Sequence, residues 1–191
     1  MSFLKLTPAY ARIGAVQPAA AQRRKKPRRP VVAPAARRYQ WGMKFIDVPP
    51  VWLVFFATLA WFQGHFYTFG LSIAGPFTSF LAGLLIGGGV VLIGLAFVEF
   101  RKYRTTVIPH ETPTHLIQTG IFKRSRNPIY LGDALILAGL ILWWDAVLSL
   151  VFVPVFVWVI EKRFVVPEEN RMRREFRADF ARYAQKTRRW L

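Results

Sequence analysis

The chemically most informative residues of this chain surround Asn127-Pro128, which directly precedes an apolar run that begins at Ile129. Asparagine is favoured at the N-cap of a helix and proline at its first position, so the pair predicts a helix beginning at Pro128. The free N–H groups of that helix end, beside Arg124 and Arg126, are suited to bind an anionic group. Ordinary helix capping beside interfacial arginines explains the motif alone equally well.

A second polar segment begins at Pro167-Glu168-Glu169. Proline ends or kinks one helix and starts the next, which places both carboxylates in a first helical turn. Acids in that position either bind a ligand or, more commonly, only interact favourably with the helix dipole. Apolar residues then recur at helical spacing among arginines: Met172, Phe176, Phe180 and Tyr183. They predict an amphipathic helix that lies on the membrane surface.

Asp133 is an acid inside the apolar run that follows Pro128. It lies three positions after Tyr130, so the two side chains share a face of the predicted helix. Acids within a membrane segment are costly and mark a cavity or a charged partner. We interpret Asp133 as a functional residue, and the competing interpretation is pairing with Arg126 or extension toward the membrane surface.

The sequence gives little support for a metal site or for a catalytic nucleophile. The three histidines, His65, His110 and His115, show no metal-ligand spacing, and the chain has no cysteine. No Ser-His-Asp grouping can be argued from the sequence. We therefore expect no metal, and we disfavour a zinc enzyme and a hydrolase.

The elements that position these residues are apolar helices. No Asp, Glu, Lys or Arg occurs between Asp47 and Glu99, and a second apolar block, from Ile129 to Ile160, is interrupted at Trp143-Trp144-Asp145. Each block is long enough for two helices near the length that a bilayer requires. The sequence predicts four membrane helices, near 48–64, 77–98, 129–143 and 146–163.

The second predicted helix contains a cluster of glycines. Gly83-x-x-x-Gly87 is continued by Gly88 and Gly89. Small residues at this spacing allow membrane helices to approach closely. We therefore interpret the cluster as a packing face, with no role in binding phosphate.

The distribution of basic residues predicts the membrane topology. All 27 lysines and arginines lie in the segments 1–44, 101–126 and 162–189, against 10 acids in the whole chain. With four spans these segments share one side, which the positive-inside rule makes cytoplasmic. The sequence thus predicts an all-α, polytopic membrane protein with both termini in the cytoplasm. We expect a multi-pass protein of a bacterial cytoplasmic membrane, with its active site facing the cytoplasm.

Residues 1–44 form a basic N-terminal segment ahead of a membrane domain over 45–191. Residues 1–40 are rich in Ala, Pro and Arg and contain no acid, so we expect them to be disordered. The run from Arg23 to Arg29 has the charge to bind nucleic-acid phosphates. Beside a membrane span, it is better explained as a topology determinant that contacts anionic lipid. We expect no nucleic-acid partner.

Three stretches together resemble the isoprenylcysteine carboxyl methyltransferase family, which belongs with the phospholipid methyltransferases. The family motif Arg-His/Asn-Pro-x-Tyr-x-Gly opens a helical hairpin and occurs here as Arg126-Asn127-Pro128-x-Tyr130-x-Gly132. The preceding stretches 105–109 and 115–122 also resemble the family, as do the paired acids Glu168-Glu169 and the closing Arg189-Trp190. The resemblance covers about residues 99–191, and it is specific because the motifs occur jointly and in this order.

The resemblance implies that S-adenosylmethionine is the cofactor, bound from the cytoplasmic side. The cofactor contacts it implies are Thr114, His115, Leu116, Ile117, Phe122, Asn127, Pro128, Ile129, Tyr130 and Glu168, with Glu169 as a neighbour. Arg126 joins this set because it lies beside the helix end suited to the cofactor's carboxylate. Glu168 suits the amino group or the ribose hydroxyls, and the aromatic neighbours suit stacking with adenine.

The chain departs from the eukaryotic members of that family at several positions. Asn127 replaces histidine, Phe122 and Phe180 replace tyrosine, and Arg177 replaces the glycine of the closing motif. The eukaryotic enzymes also have an arginine before the paired acids that meets the substrate. That spacing falls here on Phe164, and Arg163 is the nearest substitute.

The implied reaction is direct methyl transfer to a lipophilic acceptor that enters from the bilayer. A carboxylate acceptor is already ionised, whereas an amine must lose a proton, for which Asp133 or Glu169 is suited as base. Asp133, Arg163 and Glu169 are therefore the catalytic candidates. Apart from the bilayer and this acceptor, the sequence indicates no partner, and it leaves the oligomeric state open.

Two other functions remain as alternatives. A non-enzymatic membrane scaffold that binds anionic lipid would explain the charge, but it leaves the Asn127-Pro128 and Glu168-Glu169 motifs as coincidence. A nicotinamide-dependent reductase of the sterol-reductase type resembles the hairpin, but it would need more than four spans.

Overall fold

The computed structural model describes residues 48–104 and 115–191, and these residues are helical without any strand. The helices are α1 (Pro49–Phe66), α2 (Pro76–Lys102), α3 (Pro128–Trp143), α4 (Phe152–Ile160) and α5 (Val166–Lys186). Short 3₁₀ turns at Gly120–Lys123 and Val147–Val151 precede α3 and α4, and a π turn at Glu161–Val165 joins α4 to α5. The predicted all-α class is confirmed. The predicted disorder over 1–40 lies outside the described residues.

Proline fixes where the first three helices begin. Pro49, Pro76 and Pro128 stand in the first turns of α1, α2 and α3. The proline ring presets φ for a helix, and the missing N–H has no intrahelical acceptor at that position. The first three predicted helices therefore agree with the observed ones to within a few residues.

The fourth predicted helix, 146–163, differs from the observed structure. It consists of the 3₁₀ turn, the regular helix α4 and the π turn, which runs into α5 without a break. The wide turn ends shortly before Pro167, whose ring would clash with the Arg163 carbonyl in a regular α-helix. Widening the helix here lets the chain continue through the proline, and both Glu168 and Glu169 lie in the first turn of α5, as predicted.

One helix within the described ranges, α2, is long and apolar enough to cross a membrane, and α3 is apolar but shorter. Large apolar side chains of α2 are exposed, among them Phe77, Phe80, Leu84 and Val91. Phe77, for example, has a relative exposure of 76%. An exposed apolar surface of this extent is typical of contact with lipid or another protein.

The close contact between α2 and α3 depends on glycine, but on a different face from the predicted one. A Cβ added at Gly89 would lie 2.6 Å from the Gly132 carbonyl oxygen, and one added at Gly139 would lie 2.8 Å from the Ala82 carbonyl oxygen. By contrast, a Cβ added at Gly83, Gly87 or Gly88 would meet nothing within 4 Å in the described structure. The predicted packing face is therefore wrong except at Gly89, because the spacing of glycines does not reveal which side of a helix faces its neighbour.

Behind this helix pair, apolar side chains of α1, α3 and α4 form the main core. Phe56 packs edge-to-face against Phe156 with ring centroids 5.9 Å apart, and Leu137, Ile141 and Ile160 are fully buried. These contacts hold α1, α3 and α4 together, and α5 continues directly from α4 through the π turn.

Arg177 interrupts α5 with a backbone conformation that helices do not use. Its φ is 41° and its ψ is −111°, and this is the position at which the closing motif of the resembling family has glycine. Positive φ strains any residue that has a Cβ, whereas glycine adopts it readily. Arg177 is therefore a strained position that glycine would relieve.

Replacing Arg177 with glycine is accordingly expected to raise the stability of the detergent-purified protein by about 1 kcal/mol. Arg177→Ala is the matched control, because it removes the same charge and keeps the Cβ. Thermal unfolding of the two variants side by side measures the difference. Equal stability of the glycine and alanine variants would show that the backbone at Arg177 is unstrained.

Candidate active site

Two adjoining cavities lie where α2, α3 and α5 meet. Their volumes are about 430 Å³ and about 50 Å³. The residues that line both are Phe100, Phe122, Arg126, Asn127, Glu168 and Met172. Since the two motifs singled out in the sequence contribute to both cavities, the fold brings distant segments of the chain into one site.

Most of the predicted site residues line these cavities. His115, Leu116, Ile117 and Glu169 line the smaller cavity, whereas Pro128, Ile129, Tyr130 and Asp133 line the larger one. Arg163 lines neither cavity; its guanidinium lies over the Trp52 ring, 5.4 Å from the ring centroid. Thr114 lies outside the described residues. Among the residues that are described, no three His, Asp or Glu side chains come together as metal ligands.

Asn127 does not cap α3 with its side chain, although it occupies the predicted N-cap position. Its amide Nδ2 instead donates to the Arg189 carbonyl oxygen at 3.0 Å, and its backbone N–H donates to Ser125 Oγ at 3.2 Å. Asn127 therefore occupies the predicted N-cap position, but its side chain does not form the hydrogen bond to the first turn of α3 that an N-cap residue usually makes. The competing acceptor comes from the distant C-terminal segment, so local sequence could not reveal it.

The segment 187–190 folds back over the start of α3. The Arg126 backbone N–H donates to the Arg188 carbonyl oxygen at 3.1 Å. Ser125 Oγ donates to the Arg189 carbonyl oxygen at 3.3 Å. The Trp190 indole donates to Glu161 at 3.3 Å. The closing Arg189-Trp190 pair of the motif therefore forms hydrogen bonds with residues just before α3 and with Glu161.

Glu169 lies at the centre of a buried charge cluster. One oxygen is 3.1 Å from Arg126 Nη2, and the other accepts from Arg189 Nη2 at 2.8 Å. The Glu169 side chain is only 6% exposed. Arg189 also pairs with Glu161, and its hydrogen bond to Glu169 raises the pKa of its guanidinium. Because its carboxylate is bound by two guanidinium groups, Glu169 is arranged to hold Arg126 in place.

Unlike Glu169, which pairs with guanidinium groups, Glu168 accepts a hydrogen bond from a neutral hydroxyl group. The Tyr130 hydroxyl donates to Glu168 Oε1 at 2.8 Å, and no described residue donates to the other oxygen. Burial raises the pKa of Glu168, although the Tyr130 hydrogen bond and the charge of Arg171 oppose that shift. Glu168 therefore presents a carboxylate oxygen to both cavities.

Asp133 lines the larger cavity and is 6% exposed. The competing interpretation of this residue, a pair with Arg126, is not observed, because Arg126 pairs with Glu169. Within the described parts of the chain, the Asp133 carboxylate has neither an ion pair nor a hydrogen bond.

The segment 115–123, which contains Phe122, is held in place by two hydrogen bonds. The Tyr183 hydroxyl donates to the Phe122 carbonyl oxygen at 2.7 Å, and burial raises the pKa of that phenol. On the other side, Thr119 Oγ1 donates to Glu99 Oε2 at 2.5 Å. These two contacts connect the 115–123 segment to α5 and α2.

Sequence reasoning missed the contribution of α2 to the site. Ile93, Phe97 and Phe100 line the larger cavity together with Val48 and Pro49 from the start of α1. The α2 residues recur at helical spacing, i, i+4 and i+7, which was a usable signal. It was not distinctive, because apolar residues surround them on every side of this helix.

Comparison with known proteins adds one finding. A family model described as phospholipid methyltransferase matches residues 77–179, which is more than half of the chain. The matched region runs from the first turn of α2 into α5, so it contains Glu168, Glu169 and the start of α3. No curated protein and no solved structure gave a match.

Proposed function

The chain belongs to the phospholipid methyltransferase family, and on that premise we propose that it transfers a methyl group from S-adenosylmethionine to a lipid-soluble acceptor. Membership implies a methyltransferase that works at a membrane. The observation that supports the proposal most strongly is the pair of adjoining cavities, because Arg126, Asn127 and Glu168 line both of them. The acceptor is either a carboxylate, as in isoprenoid substrates, or a lipid amine.

The residues present fit S-adenosylmethionine. Arg126 lines both cavities, and its Nε is buried without a hydrogen-bond partner among the described residues, which suits the carboxylate of the cofactor. Glu168 offers the oxygen needed to accept from an amino group or ribose hydroxyls. Phe100, Phe122 and Phe180 give the smaller cavity aromatic walls suited to adenine. The larger cavity is within the volume range of small-molecule sites.

When bound, the cofactor supplies an electrophilic methyl group on a sulfonium. The residues of the chain orient the two reactants and exclude water. The ion pairs of Glu169 fix Arg126, and the Tyr130 hydrogen bond fixes Glu168, so both polar contacts are in place before binding. Apolar walls from Ile93 and Phe97 keep the larger cavity dry, which strengthens every charge interaction inside it.

The proposal includes the membrane arrangement. We propose four spans with both termini in the cytoplasm, in a bacterial cytoplasmic membrane, and an active site on the cytoplasmic side. The support is the charge pattern, since the site lies near exposed basic side chains at the end of α2 (Arg101, Lys102) and before α3 (Lys123, Arg124). The contrasting apolar surface of α2 suits the lipid core.

Binding of S-adenosylhomocysteine to the detergent-purified protein, measured by calorimetry, tests the cofactor. We expect the wild type to bind it and Glu168→Ala to bind at least about tenfold more weakly, since a hydrogen bond to a charged group is lost. Glu175→Ala is the matched control, because Glu175 is an exposed acid on the same helix. We expect this control to bind normally.

The opposite result has a clear meaning. If folded, monodisperse wild-type protein fails to bind S-adenosylhomocysteine, the methyltransferase proposal is wrong. Binding of a nicotinamide dinucleotide in its place would then support the reductase, and binding of neither would support the anionic-lipid scaffold.

A further inference from the structure

Glu99 is an acid that lies where a helix disfavours negative charge. It belongs to the last turn of α2, which ends at Lys102, and its side chain is partly buried. The carbonyl end of a helix carries partial negative charge, so the basic residues Arg101 and Lys102 suit this turn and a carboxylate does not. The position of Glu99 therefore needs an explanation from its contacts with another part of the chain.

Those contacts are with the segment 115–123. Glu99 Oε2 accepts a hydrogen bond from Thr119 Oγ1 at 2.5 Å, and the Tyr103 hydroxyl lies 3.0 Å from the same Thr119 oxygen. Gly120 follows with a positive φ of 55°, and a Cβ added there would lie 2.7 Å from Glu99 Cδ. Glycine thus leaves room for the Glu99 side chain and adopts the required backbone angle without strain.

The same segment forms one side of the smaller cavity. Four of its residues line that cavity: His115, Leu116, Ile117 and Phe122. Glu99 is not among the described residues that line either cavity, so it can act on a ligand only through this segment. Phe100, the next residue of α2, packs edge-to-face against Phe122 with ring centroids 5.5 Å apart. The hydrogen bond of Glu99 therefore fixes the segment close to the point where Phe122 lines the cavity.

We propose that Glu99 is a positioning residue, which holds the segment 115–123 in the conformation that binds the adenosyl cofactor. This inference rests on the proposed function and adds a residue outside the two cavities to the determinants of cofactor affinity. A binding surface that is already ordered loses less entropy on binding than one that the ligand must order. Without the Glu99 hydrogen bond, the cofactor would have to order this segment, and its affinity would fall.

The test compares the affinity for S-adenosylhomocysteine among variants of the two hydrogen-bond partners. We expect Glu99→Ala and Thr119→Val to bind it about tenfold more weakly than the wild type, since a hydrogen bond to a charged group is lost. The double variant should bind no more weakly than either single one, because both substitutions remove the same link. Thr119→Ser should keep the affinity, and Glu99→Gln should keep part of it because its amide oxygen still accepts.

Asp145 and Ser72 provide the matched control. Ser72 Oγ donates to Asp145 Oδ2 at 2.5 Å, so a hydroxyl and a carboxylate again connect two segments, but beyond the opposite end of α3. We expect Asp145→Ala and Ser72→Ala to bind S-adenosylhomocysteine like the wild type, whatever their effect on thermal unfolding. A purely structural role predicts the same pattern for Glu99→Ala, namely lower stability with unchanged affinity, and that result would overturn the proposal.

Hydrogen exchange of the ligand-free protein measures the order of the segment directly. The Phe122 amide donates to the Thr119 carbonyl oxygen at 3.1 Å. We expect this amide to exchange at least about tenfold faster in Glu99→Ala, and saturation with S-adenosylhomocysteine to restore its protection. Unchanged exchange in Glu99→Ala would contradict the proposal even if the affinity fell, because Glu99 would then not act by ordering the segment.

The same samples separate this proposal from the proposed function. If the wild type and Glu99→Ala bind S-adenosylhomocysteine equally while Glu168→Ala binds it weakly, only the role of Glu99 is excluded. If the wild type does not bind it, the cofactor proposal is wrong and the role of Glu99 falls with it. Should Glu99→Ala not fold, Thr119→Val and Thr119→Ser test the same hydrogen bond from its other partner.

Discussion

Replacing Glu169 with alanine is expected to lower the free energy of unfolding by about 3–5 kcal/mol, the usual cost of breaking a buried ion pair. The substitution leaves the buried guanidinium group of Arg126 without its carboxylate partner, whereas Arg189 keeps its ion pair with Glu161. Arg126 would also lose the contact that fixes it beside Asn127, so cofactor affinity should fall together with stability. Thermal unfolding of the detergent-purified protein, with and without S-adenosylhomocysteine, measures both effects.

The control for this experiment is Asp179→Ala. Asp179 pairs with Arg182 on the surface of α5, where the two side chains are 62% and 72% exposed. Exposed pairs contribute about 0–1 kcal/mol, so this variant should unfold almost like the wild type. Similar losses in Glu169→Ala and Asp179→Ala would show that the Glu169 cluster is no stronger than a surface pair.

The second large effect is expected at the contact between α2 and α3. Gly89→Ala should destabilise the protein by about 1–3 kcal/mol, because the new Cβ would lie 2.6 Å from the Gly132 carbonyl oxygen and 2.7 Å from Ile136 Cγ1. Because the new Cβ would clash with a backbone oxygen, rotation of a side chain cannot relieve the clash, and the two helices must move apart. This separation would also widen the larger cavity, which α2 and α3 both line.

Gly87→Ala is the matched control on the same helix. A Cβ at Gly87 meets no described atom within 4 Å, so alanine should be neutral or stabilise the helix by up to about 1 kcal/mol. Unfolding of both variants by denaturant in the same detergent compares them. Equal destabilisation at Gly87 and Gly89 would mean that both sides of α2 are packed, contrary to the structure.

Local chemistry explains which parts of the fold could be predicted from the sequence. Proline in a first turn identifies a helix start without any tertiary information, which is why the beginnings of α1, α2 and α3 were predicted closely. The joint motifs likewise identified most of the residues that line the two cavities. Both signals lie in short stretches of sequence.

The parts that escaped prediction depend on partners that lie far away in the chain. The acceptor of the Asn127 amide belongs to Arg189, and the two arginines nearest to Glu169, Arg126 and Arg189, come from outside its own helix. The packing side of α2 depends on Gly132, on another helix. No residue pattern within a single element contains such pairings, so the sequence indicated many of the residues that line the cavities and not how they are paired.

The segment 187–190 has a consequence for how the protein is made. The five helices of the described ranges precede it in the chain, yet its carbonyl groups and Arg189 complete the surroundings of Arg126 and Asn127. A chain that ends before Thr187 would therefore contain all of the described helices and still lack these contacts at the candidate site. Formation of the helices and completion of the site are thus separate steps in the order of synthesis, and we expect a chain released early to lack a working site.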